Sequence, residues 1–128
     1  MVKLSYEMMK SNQSFQSVNE LDQSVRGFLY LYKGQLSEGT MNVLKFIWRH
    51  STEVPGVLFI KYHAIAESVG VSRRTVIRAV NKLEQLGFLS KTHTARQSGI
   101  QAANVFIIQP HPSISEVKNK VPYQMTLF

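Results

Sequence analysis

Residues 65–86 read IAESVGVSRRTVIRAVNKLEQL, and how this stretch folds decides how the rest of the chain must be arranged. The pattern predicts two short helices joined by a tight turn, the first over 62–69 and the second over 73–86. Ile65, Val69, Val71, Val76 and Ala79 supply the apolar positions, and Ala66 is small enough for two helices to cross closely. Gly70 stands where the first helix must end, because glycine accepts the positive φ common just past a helix C-terminus. Ser72 is a natural N-cap for the second helix. Gly87 ends that helix by the same logic as Gly70.

Projected at about 100° per residue, the second helix divides cleanly into two faces. Val76, Ala79, Val80, Leu83 and Leu86 fall on one side, which must meet a core. Arg74, Arg78, Asn81 and Gln85 fall on the other, with Ile77 and Lys82 at its edges. That outer face is chemically matched to a DNA groove. Arginine grips guanine through N7 and O6, and asparagine or glutamine grips adenine through N7 and N6. An exposed Ile77 would touch a thymine methyl. Recognition helices present their N-terminal residues to base edges, which singles out Arg73, Arg74, Thr75 and Arg78. The free backbone N–H groups after Ser72 and the positive end of the helix dipole favour a phosphate there. A merely solvated helix face is the plainer account of any one of these arginines. Three of them within six residues, directly after a matching turn, favour DNA.

Composition agrees. The chain has 128 residues, 44% of them hydrophobic, enough to bury a globular core. Fifteen basic residues against 8 acidic ones give a formal net charge of +7 and a pI near 9.9. Such an excess suits a polyanionic partner, either nucleic acid or an anionic membrane surface. Cysteine is absent, which excludes disulfides and thiolate metal sites. No apolar run approaches a membrane span, and MVKLSYEMMK at the N-terminus lacks the apolar core of a secretory signal. The expectation is a cytoplasmic protein with no membrane partner. His50, His63, His93 and His111 fall in different predicted elements, without i, i+4 pairing or zinc spacing. There is no P-loop and no GxGxxG, and Ser115 to Lys118 matches S-x-x-K only by accident, without the partner motifs. No enzyme, no catalytic residue, no metal and no cofactor are expected.

Outward from the central stretch, residues 1–16 are polar and read as a flexible N-terminus. Residues 17–35 read as an amphipathic helix. Ser17 to Glu20 has the S-x-x-E form of a capping box, Val18, Leu21, Val25, Phe28 and Tyr32 form one stripe, and Gly34 is the expected C-cap. A strand over FLYLY, residues 28–32, is the competing reading, since those residues favour β structure. Such a stripe ordinarily packs on its own domain; a homodimer contact is the alternative. Ser37 caps a further helix carrying Met41, Val43, Leu44, Phe46, Ile47 and Trp48, which ends near His50. The turn chemistry of Glu53 to Gly56 follows, then a short strand over 57–60. Strands over 88–92 and 104–108 form a hairpin around a polar loop, 95–103, and Lys91, His93 and Arg96 of that hairpin would reach the DNA backbone or minor groove. The predicted fold is mainly α with a small β-hairpin (α+β), a winged helix over 36–109 preceded by an extra N-terminal helix.

Over residues 36–109 the sequence resembles the winged helix-turn-helix DNA-binding domains of phage and plasmid replication proteins and small bacterial regulators. The likeness rests on SRRTVIRAVNKLEQLGFLSK at 72–91, a variable loop, and NVFII at 104–108. It implies sequence-specific binding of double-stranded DNA, often as a dimer or on repeated sites. The same module serves repressors, activators and replication initiators. Residues 110–128 read as a linker and a C-terminal peptide. Its Gln124, Leu127 and Phe128 resemble the Q-x-x-L-F peptide by which bacterial proteins dock on the DNA polymerase sliding clamp. Leu127 and Phe128 would fill an apolar pocket while the Gln124 amide bonds at its rim; the alternative is that they cover the chain's own core. Two functions therefore stand. One is a DNA-binding protein of phage- or plasmid-type replication or transcriptional regulation. The other is a protein-interaction winged helix that binds the clamp.

Overall fold

Helix α1 (Val18–Tyr32) starts at Ser17, whose hydroxyl accepts from the Glu20 backbone N–H at 3.1 Å. The Glu20 carboxylate reaches one residue further back than a capping box requires, accepting from the Gln16 N–H at 2.9 Å. The computed structural model describes residue 7, residues 9–93 (at 93 the backbone alone) and residues 104–110. FLYLY is helical: an amphipathic face that can be buried outweighs the β preference of five residues. Gly34 does not cap this helix. Lys33 holds that position with right-handed backbone angles, and Lys33–Gln35 tightens into a 3-10 turn. A chain that keeps its helical sense there needs no positive φ.

Helix α2 (Glu38–Arg49) is capped by Ser37, which accepts from the Thr40 N–H at 3.1 Å. Its Val43, Leu44 and Ile47 are fully buried. Trp48 donates its indole N–H to the Asp22 carboxylate at 2.8 Å, tying α2 to α1. Next come β1 (Val57–Ile60), α3 (Tyr62–Val69), α4 (Arg73–Gln85), β2 (Leu89–His93) and β3 (Asn104–Ile108). This is a mostly helical α+β winged helix with α1 in front of it. The expected hairpin is part of a three-stranded antiparallel sheet of order β1-β3-β2. Phe106 of β3 stands opposite Leu58 on one side and Lys91 on the other. As the middle strand, β3 buries four of its five residues, which is why NVFII scarcely alternates.

One core joins the sheet to helices α1 to α4. Leu21, Val25 and Phe28 of α1 lie in the same cluster as Ile65, Leu83, Phe88 and Phe106. The Phe28 ring sits 4.8 Å from that of Phe88 and 4.9 Å from that of Tyr32. The α1 stripe thus packs on its own domain, and of its apolar residues only Val18 is left exposed.

The burial of Phe15, only 4% exposed, was hidden by its polar surroundings. It packs beside Gly56, whose φ of 91° lies in the left-handed region. A Cβ on Gly56 would fall on the Ser14 hydroxyl and lie 2.7 Å from the Phe15 ring. Gly56→Ala is therefore expected to cost roughly 1–3 kcal/mol, from backbone strain and this clash together. Gly34→Ala, with open space around its Cβ, should leave the urea midpoint unchanged or slightly raised. Equal midpoints for the two variants would refute the packing of Phe15 against Gly56.

Candidate nucleic-acid interface

The turn between α3 and α4 is set by backbone hydrogen bonds. Gly70, at φ 84°, and Val71 both donate to the Ala66 carbonyl, at 2.9 and 3.1 Å. Ser72 then caps α4, accepting from the Thr75 N–H at 3.0 Å. Helix α4 lies chiefly against α2 and next against α3. The two N-terminal ends meet closely, since a Cβ at Gly39 of α2 would touch the Thr75 methyl at 3.5 Å.

Burial divides α4 as the helical projection predicts. Val76, Ala79, Val80 and Leu83 are buried. Ser72, Arg73, Arg74, Arg78, Asn81 and Gln85 are exposed, and Thr75, Ile77 and Lys82 are half-buried at the boundary. Arg74 and Arg78 lie one turn apart on the open face, and among the described residues no carboxylate pairs with either. Like charges at that spacing cost a few tenths of a kcal/mol in water, a penalty an approaching polyanion reverses. Arg73 is placed differently. Its guanidinium lies 5.9 Å from the centre of the Tyr62 ring on α3, a cation–π distance.

Lys91 departs most from expectation. It does not project outward from β2. Its ammonium, on a side chain 19% exposed, bonds the Glu84 carboxylate at 2.9 Å and the Asn81 carbonyl oxygen at 2.8 Å. A cation whose two nearest partners lie on α4 is satisfied within the protein, so the expected backbone contact from Lys91 gives way to a strand-to-helix tie. Glu84 and Tyr62 thus hold residues of the candidate interface in place, a role that their positions in the sequence do not announce. Glu84 lies three residues after Asn81, but its pairing depends on where β2 crosses α4, which no local spacing reveals. Of the remaining hairpin residues, His93 is described in its backbone only, in β2 opposite Asn104. Arg96, and Gln124, Leu127 and Phe128 of the C-terminal peptide, lie outside the described residues.

Among the described residues no three His, Asp or Glu gather as a metal site would require, and no helix is long and apolar enough to cross a membrane. Residues 34–89 match the family model described as a helix-turn-helix domain. The matched span runs from the 3-10 turn through α2, β1, α3 and α4 to the first residue of β2, so it contains the whole exposed face of α4. No curated protein and no solved structure matches the chain.

Proposed function

We propose that the helix-turn-helix domain of residues 34–89 binds double-stranded DNA sequence-specifically, with α4 laid in the major groove. The observation that carries this reading is the division of α4. One face is sealed into the core, while the other presents Arg74, Arg78, Asn81 and Gln85 in line to solvent. Arg74 and Arg78 supply bidentate donors to guanine edges, and the half-buried Ile77 offers an apolar edge to a thymine methyl. Ser72 and Thr75 lie where a phosphate meets the start of the helix. The likeness to phage and plasmid replication proteins and small regulators carries the reading on to DNA replication or transcriptional control in such elements. The clamp-binding alternative rests on Gln124, Leu127 and Phe128, and nothing in the described fold favours it.

Titration of labelled duplexes by fluorescence anisotropy at stepped salt concentrations tests the proposal. Affinity should fall linearly in log–log form, with a slope of about −0.9 for each phosphate engaged. It should also be higher for a sequence selected from a random pool than for the pool itself. Binding that ignores salt, or that ranks selected and random duplexes alike, would remove it.

A further inference from the structure

Asn81 stands in the middle of the exposed face of α4, where an asparagine ordinarily pairs with adenine, accepting from N6 and donating to N7. Here its amide is not free to turn. An ammonium has donors and no acceptor, so the amide atom that meets Lys91 Nζ at 2.8 Å must be the oxygen. Lys91 is itself fixed by Glu84 at 2.9 Å and by its place in β2, opposite Phe106 of the middle strand. With the oxygen turned toward β2, the NH2 group is the part of this exposed side chain left to meet a ligand. An ion pair that is still partly open to water adds little to stability. Its consequence is geometric: it fixes which end of the Asn81 amide faces outward.

Resting on the duplex-binding reading above, we infer that Lys91 is a positioning residue that makes Asn81 a donor-only reader, selecting guanine over adenine. Guanine shows two adjacent acceptors in the major groove, N7 and O6, and both suit an NH2 group. Adenine places its own N6 donor against that group and is rejected. Lys91 thus acts on specificity through Asn81, without touching the DNA.

The test is selection of bound sequences from a random duplex pool with the full chain, comparing wild type, Lys91→Met, Asn81→Ala and the double variant. The position read by Asn81 is the one whose preference disappears in N81A. Wild type should prefer guanine over adenine there by about tenfold or more, the usual scale for a matched amide contact. K91M frees the amide, so adenine should rise to parity or above at that position alone. The double variant should match N81A. The salt slope of K91M should equal that of wild type, whereas loss of a phosphate contact would reduce it by about 0.9. Adenine preferred by wild type at that position, an unchanged preference in K91M, or a reduced slope with uniform weakening would each overturn the inference while leaving duplex binding in place. A wild-type chain that enriches no sequence at any salt would overturn both.

Discussion

Replacing Arg74 and Arg78 together with alanine is expected to weaken binding to a selected duplex by on the order of 10²–10⁴-fold. Each guanidinium that grips a guanine edge contributes about 1–3 kcal/mol of discrimination, so losing both costs more than losing either, with some coupling between side chains one turn apart. The fold should not suffer. Both side chains are exposed, alanine is the better helix former, and removing the pair relieves a like-charge contact one turn apart. The urea midpoint should therefore stay level or rise slightly while affinity collapses. The salt dependence then shows what was lost. An unchanged slope with relaxed preference at two base positions assigns the arginines to bases, and a shallower slope with uniform weakening assigns them to phosphates. Retained affinity and retained preference in the double variant would end the case for α4 as a recognition helix.

Phe28→Ala should have the largest effect on stability. Phe28 is 1% exposed and its ring packs against those of Phe88 and Tyr32. Truncating such a phenylalanine costs about 3–5 kcal/mol, a large part of the roughly 5–15 kcal/mol that holds a domain folded. The residue lies in α1, outside the matched helix-turn-helix span, so the measurement also asks whether α1 belongs to the folding unit. A single urea transition, moved far toward low denaturant, is the expected outcome. A wild-type midpoint, or two separate transitions with α4 unaffected, would show that α1 is an appendage.

What could be read in advance was whatever is decided within a few residues. Ser72, Gly70, Gly87 and the apolar spacing of α4 act through their own turn of backbone, so the helix pair and its outward face followed directly from sequence. Gly34 shows the limit of such reading. Glycine permits a positive φ but does not demand one, and the chain there continued into a 3-10 turn. Phe15 sits in a polar segment, yet a space beside Gly56 admits its ring. The pairing of β1 with β3 joins elements far apart in sequence, and the tie from Lys91 to Asn81 and Glu84 joins a strand to the helix just before it, across the turn between them. Their register is fixed only once the helices have packed, and no pattern within a single element carries that information.

The strand order has a consequence for the nascent chain. Both β1 and β2 bond to β3, and not to each other, so neither has a ladder until residue 108 has left the ribosome. The helix pair closes through contacts near in sequence and can settle earlier. For that interval Leu58, Phe59 and Leu89 belong to two open strand edges, the kind that recruit neighbouring chains. Each edge carries a charge that discourages this: Lys61 directly follows β1, and Lys91 lies within β2. The lysine proposed to orient Asn81 in the finished protein thus also sets a charge on the β2 edge while that edge is open, the placement by which sequences discourage aggregation.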